Sequence, residues 1–355
     1  MSEYKRILFS GGITLGPVAP LLSVAHKLQK KYPDWVFHFV GTRCGIERAV
    51  VEKEGLIYHA IPSAKLRRYM SIHTLLDFFN FACALVVALF LLLRIRPQVL
   101  ISAGSSVSVP LHWIARVLHM PTLIHQQDVK PGLANRLMKH GATRITVACP
   151  ESVRFFNADK TVCIGNPVRE ELKAEPVYAR ATLKLEENVP VILFMGGGTG
   201  ALHINRLVEK LLPQLTPVAQ VIHLTGKDKS NIPPQAHYRS YDFLDAEGMR
   251  LMYAAADVVV TRAGFSTITE LSYLGKAAVL IPIPGSHQEA NARYCEEHGA
   301  ARAVYNVSRP GMVAPLLIDL LKSPEQQTQL AAAMHNLLPR DAAQKMADIV
   351  EELVG

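Results

Sequence analysis

The chain has 355 residues, 49% of them apolar and 19% charged, with 22 glycines and 22 prolines. That length suits two hydrophobic cores better than one, and that composition excludes fibres and disordered tails. Lys plus Arg outnumber Asp plus Glu by 38 to 30, a surplus that favours an anionic partner such as phospholipid, phosphate or nucleic acid without choosing among them.

From the amino end, Met-Ser-Glu-Tyr-Lys-Arg leads straight into Ile7-Leu8-Phe9. The apolar stretch is far too short for a signal-peptide core, so a cytoplasmic compartment is expected. Five scattered cysteines (Cys44, Cys83, Cys149, Cys163, Cys295) include no Cys-x-x-Cys pair and read as reduced thiols, not as a disulfide framework or zinc site. Short apolar runs then alternate with amphipathic segments, the pattern of βαβ units feeding a parallel sheet. In the first half, 6–10, 36–40 and 99–102 read as strands and 20–31 as a helix. In the second half, 191–195, 221–224, 258–261 and 278–281 read as strands and 202–212 as a helix. The break at Gly165-Asn166-Pro167-Val168-Arg169, followed by the charged stretch 170–184, reads as the linker, dividing the chain into 1–165 and 166–340.

Ser10-Gly11-Gly12-Ile13-Thr14-Leu15-Gly16 joins the first strand to its helix, where glycine lets backbone amides approach an anion at the helix amino end; a plain tight turn is the competing reading. The loop Gly196-Gly197-Gly198-Thr199-Gly200 is denser, and its amides could cradle a diphosphate. Neither carries Gly-Lys-Ser/Thr, and no acidic residue stands where a dinucleotide fingerprint requires one, so nucleotide hydrolysis by a P-loop and hydride transfer are disfavoured. Between the two loops lies the longest apolar run, Phe81 to Leu93, closed by Arg94 and Arg96 and preceded by Lys65, Arg67, Arg68 and Tyr69. Three readings stand: a buried core helix, a helix dipping into the membrane interface, and a spanning helix, for which thirteen residues are short. Further on, Thr261-Arg262-Ala263-Gly264-Phe265-Ser266-Thr267 leads to Glu270. Ser266 or Thr267 is placed to cap a helix with Glu270 in its first turn, either as a capping partner or as a carboxylate that accepts the two vicinal hydroxyls of a ribose. His287, Gln288 and Asn291 follow another strand, where amides could read sugar hydroxyls.

Taken in order, the first glycine loop, Ile124-His125-Gln126-Gln127-Asp128, Gly132-Leu133-Ala134-Asn135, Gly165 to Arg169, the Gly196 loop, His223-Leu224-Thr225-Gly226, the Arg262 to Glu270 cluster and His287-Gln288 with Asn291 resemble the MurG-type enzymes of glycosyltransferase family 28. The resemblance covers nearly the whole chain. It implies an α/β, GT-B type fold of two Rossmann-like domains facing across a cleft, with the last helix, 341–353, packing back on the first. It also implies an inverting transferase moving GlcNAc from UDP-GlcNAc to lipid I, a peripheral enzyme of the cytoplasmic membrane face with anionic lipid against 65–96. By position, Glu270 would hold the ribose, Arg169 and the backbone near Leu244 the uracil, and Gln288 and Asn291 the GlcNAc hydroxyls. Phe265, Ser266 and Thr267 would face the diphosphate with Gly198 and Thr199, which stand where the family often has Ser and Gln. Gly11, Gly12, Thr14 and Asn135 would face the undecaprenyl-diphosphate-linked acceptor. The family's Gly-Gly-x-Gly-Gly-His is altered in the first loop, which has no base histidine and reads one residue longer; His125 and Asp128 are the candidate substitutes, with an ordinary hydrogen-bonded histidine ending a strand as the competing reading of His125. No Asp-x-Asp cluster or other metal site is seen, so no metal or cofactor is expected beyond the donor, and no nucleic-acid-binding motif accompanies the basic residues. The altered loop keeps two rivals open: transfer to another lipid such as diacylglycerol, and a catalytically silent sugar-nucleotide binder.

Overall fold

A computed structural model describes residues 4–62, 72–197, 200–227, 232–233, 235–306 and 310–355, with the side chains of 72–78, 170 and 310 excepted. Lys65, Arg67, Arg68, Tyr69, Gly198 and Thr199 therefore lie outside the described residues. The chain divides into two compact units, Met1–Val168 with Pro339–Gly355, and Arg169–Leu338.

The first unit runs β1 (Arg6–Ser10), α1 (Ala19–Lys31), β2 (Val36–Thr42), α2 (Glu47–Lys53), β3 (Ile57–Ile61), α3 (Ile72–Ile95), β4 (Val99–Ser102), α4 (Ser108–Val117), β5 (Thr122–Gln126), α5 (Leu133–Met138), β6 (Arg144–Val147) and β7 (Thr161–Cys163). Its seven parallel strands lie in the order β3-β2-β1-β4-β5-β6-β7. β1, β4 and β5 are buried between helices on both faces, and in β1 and β4 this is why Ile7-Leu8-Phe9 and Val99-Leu100-Ile101 read as unbroken apolar runs. The chain winds outward from β1 through β2 to β3 and then returns to place β4 on the other side of β1. That reversal opens a crevice at the carboxyl ends of β1 and β4.

The second unit runs α6 (Pro176–Thr182), β8 (Val191–Met195), α7 (Leu202–Leu215), β9 (Gln220–Leu224), β10 (Tyr238–Tyr241), α8 (Ala246–Ala255), β11 (Val258–Thr261), α9 (Phe265–Leu274), β12 (Ala277–Leu280), α10 (Gln288–Glu297), β13 (Arg302–Ala303), α11 (Val313–Leu321) and α12 (Pro324–His335). The order β10-β9-β8-β11-β12-β13 repeats the same reversal, now between β8 and β11. The units divide between Val168 and Arg169, inside the 165–169 break, and the charged stretch after it contains α6, which packs against α8. α7 also runs past its expected end at Leu212, through Pro213 in its final turn, because Leu215 is buried and anchors it.

The last helix, α13 (Ala342–Val354), packs on α1 in the first unit. Met346, Ala347 and Val350 join Ile7, Phe9, Val24 and Leu28 in one buried cluster. The chain's two crossings run side by side. Gly165 has φ +85, and a Cβ there would meet the Pro339 carbonyl at 2.8 Å, so only glycine fits.

Met346→Ala should lower the stability of the first unit by about 2 to 4 kcal/mol, since it deletes a fully buried side chain from a packed cluster. Trp35 and Trp113 both lie in that unit, so urea unfolding followed by tryptophan fluorescence reads it directly; an unchanged midpoint would show that α13 contributes nothing to that core.

Candidate functional site

The carboxyl edge of the second sheet carries Phe265, Ser266, Thr267, Glu270 and Gln288 of the residues singled out on the donor side. β11 ends at Thr261, and α9 begins four residues later with Gly264 in extended conformation at its N-cap. The expected Ser266 or Thr267 cap is therefore not the observed one: both lie inside the first turn, and Glu270 falls in the second. With glycine at the N-cap no side chain closes the helix end, which leaves the amino terminus of α9 as an electropositive edge suited to an anion. Phe265 is buried and Ser266 and Thr267 are half-buried around that edge. The amide of Gln288 lies against Gly264, where an added Cβ would sit 4.0 Å from Nε2, while Gln288 Oε1 accepts from the Ile283 amide at 3.3 Å.

Glu270 is half-buried. Its Oε2 accepts a hydrogen bond of 2.7 Å from the hydroxyl of Tyr253, a fully buried residue of α8 that the sequence does not single out. Burial pushes the Glu270 carboxyl up; the Tyr253 bond and the positive charge of Arg169 push it back down. The structure thus brings Arg169, Tyr253 and Glu270 together. Arg262, half-buried in the loop before α9, has its guanidinium pushed down by loss of solvent. Leu244 lies in the loop between β10 and α8, where Asp245 caps α8 by accepting from the Gly248 amide at 2.8 Å. Asn291, expected beside Gln288, is fully buried and its amide donates to the Ala263 carbonyl at 3.0 Å, a bond that holds the loop before α9 in place.

In the first unit, Gly11 and Gly12 are buried while Ile13 and Thr14 are exposed. Gly12 has φ +152, and a Cβ there would lie 2.5 Å from Glu47 Oε1. Glu47 is another residue the sequence does not announce. It is fully buried beneath the loop, one oxygen accepting from the Thr42 amide at 2.8 Å and the Thr42 hydroxyl at 2.6 Å, the other without a partner among the described residues. At the end of β5, His125 is fully buried, with Nδ1 2.9 Å from Thr146 Oγ1 and Nε2 2.8 Å from Asn166 Oδ1. Burial lowers its pKa to about 4. A neutral imidazole with both nitrogens engaged inside the protein is a strut between β5, β6 and the 165–169 segment, and it has no site left for an acceptor's proton. Asp128, two residues past β5, is half-buried. Asn135 is buried, its amide donating to the His125 carbonyl at 3.1 Å and Gln126 Oε1 at 2.7 Å.

A separate surface of the first unit is greasy. Along α3, Phe79, Val86, Phe90 and Leu93 recur at helical spacing with exposures from 49% to 67%, and α4 adds Trp113 and Val117. Phe81 meets Trp113 edge-on at 5.3 Å. Arg94, Arg96 and Arg116 are exposed beside them. The opposite face of α3, Ala84, Ala88 and Leu92, is buried. Among the described residues no helix is long and apolar enough to cross a membrane.

The chain matches the glycosyltransferase family 28 N-terminal domain over residues 7–147 and the family's C-terminal domain over residues 191–353. It is 35% identical to the UDP-N-acetylglucosamine--N-acetylmuramyl-(pentapeptide) pyrophosphoryl-undecaprenol N-acetylglucosamine transferase of Lachnoclostridium phytofermentans, across 98% of this chain and 99% of that one. A protein of the same name from Clostridium kluyveri is 32% identical with the same coverage. The crystal structure of Acinetobacter baumannii MurG superposes with a TM-score of 0.74 at 23% identity, over 98% of this chain and 99% of that one, which shows the GT-B fold.

The buried histidines have a consequence for pH. His112 and His125, held neutral with pKa values lowered to about 3 and about 4 from 6.5, bind protons more readily once the chain unfolds. Their contribution to stability is complete above pH 6.5 and is lost as pH falls from there towards 4. Urea midpoints of the tryptophan transition should therefore fall across that window, and less so in His125→Phe relative to its own value at pH 7; a flat profile would place the ring in water.

Proposed function

The chain belongs to glycosyltransferase family 28, and from that membership we propose that it transfers GlcNAc from UDP-GlcNAc to lipid I, giving lipid II for peptidoglycan synthesis, as a peripheral enzyme of the cytoplasmic membrane face. The observation that carries this reading is the likeness, nearly end to end, to transferases named for that reaction. The donor edge supports it. The open amino end of α9 suits the diphosphate, where it would stabilise the charge that UDP gathers as it leaves. Glu270 accepts the ribose hydroxyls, Gln288 contacts the GlcNAc, and Leu244 and Arg169 border the base. The reaction needs no cofactor beyond the donor. Inversion requires the acceptor hydroxyl to lose its proton as it attacks. Of the two substitutes for the missing histidine we assign this to Asp128, because His125 is committed to Thr146 and Asn166. The exposed apolar stripe of α3 and α4 with its arginines fits an anionic bilayer interface.

Purified protein given radiolabelled UDP-GlcNAc and lipid I should yield labelled lipid; label appearing only with another lipid acceptor, or with none, would defeat the assignment. Glu270→Ala should weaken UDP binding by about 2 to 4 kcal/mol in calorimetry, the scale of two hydrogen bonds to a charged group. Asp128→Asn should lower kcat by about 10² to 10⁴ while leaving UDP affinity unchanged.

For the membrane surface, vesicles containing anionic phospholipid should float the protein, and Phe90→Asp combined with Arg94→Glu should leave it in the bottom fraction. Equal flotation of both proteins would remove the stripe from consideration.

A further inference from the structure

Tyr253 fills the core beneath α9, with no exposed surface, and it directs its only polar atom at Glu270 Oε2, 2.7 Å away. A buried tyrosine hydroxyl needs a partner, and backbone carbonyls are the common choice. Here the partner is the carboxylate at the carboxyl edge of the sheet, on the neighbouring helix. A glutamate that accepts two vicinal hydroxyls must hold its carboxylate plane fixed, yet the side chain has three rotatable bonds whose freedom is lost on binding. A donor rising from the core onto one oxygen removes that freedom before the ligand arrives. It occupies one acceptor position on Oε2 and leaves Oε1 open to the hydroxyls.

We propose that Tyr253 is a positioning residue for nucleotide recognition: its hydroxyl locks the Glu270 carboxylate in the orientation that receives the 2′- and 3′-hydroxyls of the donor's ribose. The proposal rests on the reading of Glu270 as the ribose acceptor. Tyr253 touches no ligand itself. Its effect reaches the ligand only through Glu270, so deleting its hydroxyl should matter for a nucleotide that has ribose hydroxyls and not for one that lacks them. A tyrosine that merely fills the core would affect both alike.

The test is calorimetric titration of the full-length protein with UDP and with 2′,3′-dideoxy-UDP. Wild type should bind UDP more tightly than the dideoxy analogue. Tyr253→Phe, which keeps the ring and its packing, should lose on the order of tenfold in UDP affinity and leave the dideoxy affinity within about twofold. In a Glu270→Ala background, where there is no carboxylate to orient, adding Tyr253→Phe should change neither affinity. Equal weakening of both nucleotides, a Tyr253→Phe protein that binds UDP as wild type does, or an undiminished effect of the substitution in the Glu270→Ala background would each overturn the positioning role alone. Equal wild-type affinity for the two nucleotides would instead overturn the ribose assignment of Glu270, and the role of Tyr253 would fall with it. If Tyr253→Phe does not fold, as judged by circular dichroism, the hydroxyl is a structural requirement of the core and the proposal is rejected.

Discussion

A parallel sheet must bury both of its faces, because its crossover helices lie on them and its strands are apolar throughout. That constraint decides where this protein can do chemistry. In both units most interior strands, β1, β4, β5, β8, β9, β11 and β12, are buried along their whole length, apart from Arg6 at the start of β1. Polar and flexible residues are expelled to the strand ends. At the carboxyl ends, where the winding reverses, the loops face helix amino termini, and backbone amides are the local charge. The glycine loop after β1 and the short turn from β11 into α9 are outcomes of one packing rule.

The same rule sets the electrostatics. Side chains drawn back beneath these loops lose water, and each polar group must find a partner or abandon its charge. His125 gives up its charge and becomes a neutral strut between Thr146 and Asn166. Glu270 has a donor in Tyr253 and a cation in Arg169, both opposing the cost of burial. Glu47 accepts twice from Thr42 with one oxygen. Burial therefore sorts groups that look alike in one dimension into structural and functional ones, and it sorts them by partner count.

This is also where the sequence stops being legible. The central strands and glycine loops are readable because a short unbroken apolar run that ends in glycine is seldom anything but a buried strand entering a turn; β8 and β11 lie at the positions expected from the sequence alone. β3 and β7 are not readable, since they are edge strands, short and partly exposed, with no clear period. The α9 cap falls on a different residue from the expected one because Ser and Thr are the commoner capping residues and Gly264 carries no side chain to announce itself. Glu270 stands out beside a strand and loop, but Tyr253 sits in Leu-Met-Tyr-Ala-Ala-Ala, which reads as a plain core helix. Nothing in one dimension says that its hydroxyl meets a carboxylate seventeen residues later. His125 is legible only as a choice between a base and an ordinary hydrogen-bonded histidine ending a strand, and Thr146 and Asn166, closing both sides of the ring, decide for the second.

The altered first loop can be weighed in the same terms. A positioned base is worth about 10² to 10⁴ in rate, roughly 3 to 5 kcal/mol of barrier. Charge developing on a departing diphosphate at a helix amino terminus is stabilised by dipoles that need no reorganisation, a contribution that removing a single donor shows to be of similar size. On the proposed reading the two contributions come from residues of different units. The second requires only that α9 begin without a side-chain cap, which Gly264 ensures; the first requires one side chain on the acceptor unit, at a place that loops can vary without disturbing a core. On that reading the acceptor-side base can change while the donor edge stays intact, and the first loop of this chain, Gly11 to Gly16, which carries no histidine, has the composition that such a division of labour permits.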